Sequence, residues 1–414
     1  MILQDIGLKT KTASALIAQT SPAQINDTLN LLAQNLQSKS ADIIKANNID
    51  VAAAKEKELS GALIDRLTLD NDRIVAMANS IIDIAKLDSP LNKILETINR
   101  PNGLVIEKTS VPIGVLGMIY ESRPNVTIDA AALCLKSGNA VILRGGSESF
   151  YSSKILHGII QSTLEEMQMP KDAVSMMPTT DRALVGAMLK AHHYIDVIIP
   201  RGGKGLTGLV MREATMPVFA HLDGNCHIFV HASANPAMAL DIIKNAKLRR
   251  TGICGAVESL LFDDALDTSN AQDIITMLLN NGCAILGDKK AQSLNENIKP
   301  ATEQDWSTEY LDRKISIKFV KNTADAITHI NTYGSHHTDC IISEDNQSVR
   351  AFLTQVDSAI VMHNSSTQFA DGGEFGMGAE IGIGTGKLHA RGPVGLKQLT
   401  TFKYIVHGNG QTRT

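Results

Sequence analysis

Residues 111–148 read VPIGVLGMIYESRPNVTIDAAALCLKSGNAVILRGGSE, and this stretch decides the fold. Positions 115–119 are an unbroken apolar run of strand length. A turn through Arg123-Pro124-Asn125 leads into 126–136, an alanine-rich segment that reads as a helix. Positions 140–143 are a second apolar strand, and Arg144-Gly145-Gly146-Ser147-Glu148 is a strand-to-helix turn. Downstream, the pattern predicts a helix to about residue 167, a strand over 173–177, a helix over 181–191 and a strand over 194–199. Arg201-Gly202-Gly203 then leads into another helix. Such alternation builds a mostly parallel sheet with helices on both faces.

A second α/β unit begins near residue 227. Strands are expected over 228–230, 257–262, 315–320, 340–342 and 359–361, with a helix over 236–248. Upstream, residues 8–90 read as helices, since Leu29, Leu32, Ala33 and Leu36 recur at helical spacing, as do Ile74, Met77, Ile81 and Ile84. Residues 94–100 and 104–110 flank Pro101-Asn102-Gly103, a strong hairpin signal. Residues 371–395 are dense in glycine, interrupted by charged and aromatic residues, and read as a functional loop. A last strand is expected over 400–406.

A chain of 414 residues is long for one domain, and 43% hydrophobic residues suffice for a large core. The formal charge of −4, from 39 basic and 43 acidic residues, argues against a nucleic-acid partner, because phosphate-backbone binding needs a basic field. No signal peptide is visible, and no run of about 18 apolar residues predicts a membrane span. The five cysteines, Cys134, Cys226, Cys254, Cys283 and Cys340, are odd in number and widely spaced, which disfavours disulfides and structural zinc. A reducing cytoplasm is the expected location.

Among these thiols Cys254 stands apart. It lies in Arg249-Arg250-Thr251-Gly252-Ile253-Cys254-Gly255, where glycines permit a tight turn and close approach of a substrate. Arg249 and Arg250 could supply the positive charge that favours a thiolate. The alternative is a buried structural cysteine, as the other four look. Gly203-Lys204-Gly205-Leu206-Thr207-Gly208 matches G-x-G-x-x-G after a strand, with Asp223 downstream; alternatively only the turn Pro200-Arg201-Gly202-Gly203 touches a cofactor. The turn 144–148 suits a phosphate or ribose, or is a plain surface turn. Asn125 is either a helix cap or an amide donor to an oxyanion. The pairs His192-His193 and His336-His337 lack metal-ligand spacing, and no metal is expected. Residues 381–387 fail the phosphate-loop pattern, so no ATP site is read.

Together these segments resemble the gamma-glutamyl phosphate reductases of the aldehyde dehydrogenase superfamily over nearly the whole chain. Residues 111–127, 137–148, 199–203, 221–227, 252–258, 335–341 and 372–380 carry the likeness in order. The resemblance implies an aldehyde dehydrogenase-like α/β fold. It comprises a Rossmann-like NADP-binding domain over 1–93 and 113–226, an α/β catalytic domain over 227–385, and a small oligomerisation element over 94–112 and 397–410. It makes Cys254 the nucleophile and Asn125 the oxyanion amide. Arg144 and Ser147 would lie at the adenosine ribose, where an arginine suits the 2′-phosphate of NADPH. Pro200, Arg201, Gly202 and Gly203 would lie over the pyrophosphate, and Glu309 at the nicotinamide ribose. Glu121, Arg123, Lys387 and Arg391 are candidates for the substrate's amino and carboxylate ends.

The implied reaction reduces L-glutamyl 5-phosphate to L-glutamate 5-semialdehyde for proline synthesis, in a homo-oligomer fed by a glutamate kinase. Hydrolytic relatives carry a glutamate base where this chain has His221. Its absence fits exchange with phosphate and leaves the proton-transfer group unidentified. A relative acting on an acyl-CoA is the nearest alternative. An inactive ligand-binding module is the alternative of another class, and intact Cys254 and Asn125 speak against it.

Overall fold

Strands β1 (Ile94–Asn99), β2 (Val105–Pro112), β3 (Val115–Tyr120), β4 (Ala140–Arg144), β5 (Val174–Met176) and β6 (Val197–Arg201) precede β7 (Cys226–Val230) and β8 (Val257–Asp263). They are followed by β9 (Ala284–Gly287), β10 (Lys299–Pro300), β11 (Lys314–Val320), β12 (Thr338–Ile342), β13 (Ile360–His363), β14 (Ile383–Gly384), β15 (Gly392–Pro393) and β16 (Thr400–His407). The structure is a computed structural model and describes residues 2–413. It forms two units. One extends to Ala220 and takes in Met377–Gly382 and the chain from Val394; the other comprises His221–Gly376 and Ile383–Pro393.

In the first unit, β3 and β4 are buried at every position, and they pair in parallel with Val115 opposite Ala140. Burial on both faces is why their sequence is a continuous apolar run instead of an alternating one. The order is β5-β4-β3-β6, all parallel. The helix Asn125–Lys136 between β3 and β4 is buried from Val126 to its end, except at Asp129. Its terminal Lys136 is accommodated because the ammonium donates to Ala85 O and Asn26 Oδ1, and burial lowers its pKa. The strand expected over 194–199 starts later, at Val197. Ile195 N still donates to Ala191 O, and Asp196 accepts from Val115 N, so the chain is turning until 196.

A separate antiparallel sheet has the order β1-β2-β16, as the hairpin signal and the last strand predicted. It leaves Ile94, Leu95, Phe402, Tyr404 and Val406 exposed.

The second unit is built on a seven-stranded parallel sheet, β10-β9-β11-β8-β7-β12-β13. Its apolar core takes Ile228, Leu260, Phe262, Ile315, Ile317, Cys340 and Ile342 from the central strands. Strands β9 and β10 escape the sequence pattern because they are only four and two residues long. The unit begins at His221, upstream of the expected boundary at 227. The reason is local: Asn225 donates to Trp306 O and Tyr333 O, tying that turn to its own unit. Within the glycine-dense 371–395, β14 and β15 form a short antiparallel pair.

Helix Pro236–Leu248 is started by Asn235, whose side chain accepts from Met238 N, with proline in the first turn. Near its end Lys247 donates to Glu258 of β8 at 2.6 Å, both side chains being fully buried. The other Glu258 oxygen accepts from Leu311 N. Burial raises the Glu258 carboxyl to about 7 despite Lys247. Removing the cation strands a buried charge, so Lys247→Met should destabilise the protein by about 3–5 kcal/mol at pH 8. In this variant the folded-state pKa of Glu258 rises further above its unfolded value. The favourable protonated state is present at low pH and lost as pH rises through the folded pKa. The deficit should therefore be smaller at pH 5 than at pH 8, as urea unfolding at the two values would show.

Candidate active site

Cys254 sits in the short turn between helix Pro236–Leu248 and β8, where Ala256 N bonds back to Ile253 O. Of the five free thiols it alone is not buried. Burial pushes Cys283 to about 11 and Cys340 to about 12, and it raises Cys134 and Cys226 as well. Those four stay protonated and inert at neutral pH. Cys254 is the thiol that the sequence singled out. Arg249 is directed elsewhere: its guanidinium donates to Gln368, whose own amide holds Ala246 O and Arg250 O.

The segment 221–225 packs directly on this turn. A Cβ built on Gly224 would lie 2.3 Å from Cys254 O and 2.6 Å from its Cα. Glycine is required there by contact. Gly224 N donates to Glu309 Oε1 at 2.8 Å, so Glu309, expected at a nicotinamide ribose, also anchors the turn behind the thiol.

Two histidines join the thiol. One ring nitrogen each of His221 and His337, with Cys254 Sγ, all lie within 4.8 Å of one another. The rings of His221 and His337 meet edge-on with centroids 5.1 Å apart. His221 Nδ1 lies 2.9 Å from Ile383 O; a carbonyl only accepts, so Nδ1 carries a hydrogen and Nε2 is the basic nitrogen of the neutral ring. His337 is fully buried, and burial lowers its pKa to about 3, with His221 adding to the effect. One thiol and two imidazoles are zinc-type ligands, but the cluster stops at three among the described residues.

Sequence reasoning missed this cluster. It weighed His336-His337 only as a pair and set it aside for lacking metal-ligand spacing on one face, whereas His336 turns to Asp357 O with a positive φ of 59° and His337 turns inward beside Cys226. The usable signal was the position of His337 immediately before a buried strand.

On the first unit the candidates gather just past the carboxyl ends of β3, β4 and β6, where parallel sheets bind ligands. Arg144 closes β4 and is 8% exposed. It donates to Gly145 O and Thr180 O, while its Nε has no partner. Ser147 is exposed and donates to Glu148. Pro200 and Arg201 end β6; Gly202 and Gly203 form the turn before helix Lys204–Glu213. Gly205 and Gly208 lie inside that helix, so the turn, and not the whole G-x-G-x-x-G, is open to a ligand.

Glu121 lies across this turn and accepts from Gly203 N at 2.9 Å. Its carboxylate thus holds a helix N-terminus, a seat for anions. Asn125 is the first residue of its helix and does not cap it; the cap position is Pro124. Its Nδ2 donates to Asp129 at 2.9 Å, and burial raises the Asp129 carboxyl to about 6. An amide nitrogen carries two hydrogens, so one remains for another acceptor. Arg123 gives its backbone N–H to Glu121 O. On the second unit Lys387 and Arg391 both bind Asp357, at 2.6 and 2.9 Å.

Two parallel-sheet α/β units, one of them with glycine turns at its strand ends, define an aldehyde dehydrogenase-like fold. The sequence profile of the aldehyde dehydrogenase family matches residues 12–273. The gamma-glutamyl phosphate reductase of Beijerinckia indica is 52% identical over 413 residues, covering 100% of this chain and 96% of that protein. The crystal structure of the enzyme of that name from Thermotoga maritima matches with a TM-score of 0.98 at 40% identity, covering 100% of both chains. An acetylating aldehyde dehydrogenase from Geobacillus thermoglucosidasius, 18% identical, shares the fold with a TM-score of 0.68 over 100% of this chain and 97% of its own. The chain belongs to the gamma-glutamyl phosphate reductases, within the aldehyde dehydrogenase family.

Proposed function

We propose that this protein is a glutamate-5-semialdehyde dehydrogenase that reduces L-glutamyl 5-phosphate with NADPH, through a thioester on Cys254, in proline biosynthesis. The observation that carries the reading is the single accessible thiol, framed by Gly224 and two imidazoles, in a chain of this family. The Cys254 thiolate attacks the acyl carbon; a C–S bond forms and the C–O bond to phosphate breaks. NADPH, when bound, supplies the hydride that reduces the thioester. The resulting oxyanion collapses, the C–S bond breaks, and the aldehyde leaves. Asn125 is assigned to that oxyanion through its second amide hydrogen. Phosphate is a good leaving group, so placement and oxyanion stabilisation are the main demands on the protein.

The residues present fit the dinucleotide. The partnerless Nε of buried Arg144 suits a 2′-phosphate beside Ser147, and the Gly202-Gly203 turn suits a pyrophosphate. Glu309 is assigned to the nicotinamide ribose. Glu121 holds the amide that the pyrophosphate would use, so it is a competitor at this seat. Glu121→Ala should tighten NADPH binding several-fold in a fluorescence titration; unchanged binding would contradict a pyrophosphate at Gly203. Arg123, Lys387 and Arg391 remain assigned to the substrate's charged ends. Oligomerisation is assigned to the sheet of β1, β2 and β16, whose exposed Ile94, Leu95, Phe402, Tyr404 and Val406 suit a second copy. A glutamate kinase is the proposed source of substrate.

The test is the reverse reaction. Glutamate 5-semialdehyde should reduce NADP⁺ only when phosphate is added. Reduction that depends on coenzyme A instead would assign the chain to another acyl donor.

A further inference from the structure

The proposed acyl transfer has a proton that must be moved. The resting thiol must lose one before it attacks. The phosphate of an acyl phosphate dianion must gain one as it departs, since otherwise it leaves as a strongly basic trianion. These two needs match in number and occur in the same step. A single base near Sγ satisfies both.

Resting on the function proposed above, we infer that His221 is that base: its Nε2 takes the proton from Cys254 Sγ and delivers it to the departing phosphate. In balance, the S–H bond breaks as Nε2–H forms. The C–S bond forms as the C–O bond to phosphate breaks, and Nε2–H then passes its proton to a phosphate oxygen. The products of the step are the thioester and monohydrogen phosphate, with the neutral imidazole restored. No oxidant, metal or further reactant enters.

Three observations point to His221 and not its neighbour. The Ile383 carbonyl holds the Nδ1 hydrogen, which fixes the tautomer with a basic Nε2. His221 is only half-buried, so a protonated ring stays solvated and a leaving phosphate can reach it. His337 is fully buried, its Nδ1 is engaged with Thr338 Oγ1, and its suppressed basicity keeps it neutral at physiological pH. It is a neutral wall beside the reacting pair, not a second acceptor. A ring nitrogen of His221 lies within 4.8 Å of Cys254 Sγ. Catalytic contacts commonly tighten when substrate binds. The other thiol in the neighbourhood, Cys226, donates to Cys254 O and is held protonated by burial, so it does not compete for the role.

The prediction has two independent readouts. The first needs no substrate: alkylation of Cys254 by iodoacetamide at pH 7, which reports thiolate formation alone because the other four cysteines are buried. His221→Gln should slow it at least about tenfold. The second is turnover, which should fall by about 10²–10⁴-fold, the usual contribution of a general base. His221→Gly should lose as much, and added imidazole should restore it at least about tenfold, an effect that a structural role would not give. The inference is overturned if His221→Gln alkylates and turns over within twofold of wild type, or if imidazole restores nothing to His221→Gly. Failure of the function itself looks different: the wild-type enzyme would then show no phosphate-dependent turnover, while the alkylation comparison would still report on His221.

Discussion

Replacing Cys254 with alanine is expected to lower turnover on the order of 10⁴-fold or more while NADPH binding stays within twofold of wild type. The change removes one sulfur from a half-buried position and leaves the turn between Ile253 and Ala256 intact, so the fold should hardly notice it. None of the residues assigned to the cofactor is altered. Serine is a useful companion, since a hydroxyl keeps the shape without ionising at neutral pH. Steady-state rates with a cofactor titration decide the matter. Activity retained in Cys254→Ala, or weakened cofactor binding in step with lost activity, would contradict a purely chemical role. Alkylation of wild type should reach one thiol rapidly, because burial shields the other four.

Gly224→Ala should produce the second largest effect, by a different route. The added methyl would stand 2.3 Å from Cys254 O, 2.6 Å from its Cα and 2.7 Å from its Cβ. Two of these atoms are backbone, so no rotamer change relieves the clash. Either the segment 221–225 or the turn of Cys254 must move. The first is tied down by Glu309 on Gly224 N and by Asn225 on Trp306 O and Tyr333 O. The nucleophile is therefore what shifts. Overpacking of this kind costs about 1–3 kcal/mol in stability. A displacement near 1 Å costs about 100-fold in rate. Urea unfolding and kcat measured together test this. Near-normal kcat would mean that the contact is not what places the thiol.

Much of the architecture was readable because burial writes it into the sequence. The runs at β3 and β4 are apolar on both faces, and the chain around them carries helical spacing and glycine turns. Cys254 was legible for the same reason in reverse: its setting is glycine-flanked, while the other thiols lie in or beside apolar runs. The sequence was weaker wherever a side chain's partner decides its role. Asn125 satisfies a capping pattern, yet it bonds one turn onward to Asp129. Glu121 lies only two residues from Arg123, but its carboxylate reaches Gly203 instead of any substrate group visible from the chain order. Lys387 and Arg391 share Asp357, a residue no local pattern connects to them. His221 and His337 are far apart in sequence, and only the parallel order β8-β7-β12 brings their segments to the thiol.

The account stands on an acyl group bonded to Cys254, and that bond can be weighed. Wild-type protein mixed with L-glutamyl 5-phosphate, without NADPH, should be quenched in acid, digested and analysed by mass. The peptide carrying Cys254 should gain one glutamyl group that hydroxylamine removes, and the Cys254→Ala protein should gain none. A glutamyl group on any other residue, or equal labelling of the alanine variant, would contradict the mechanism.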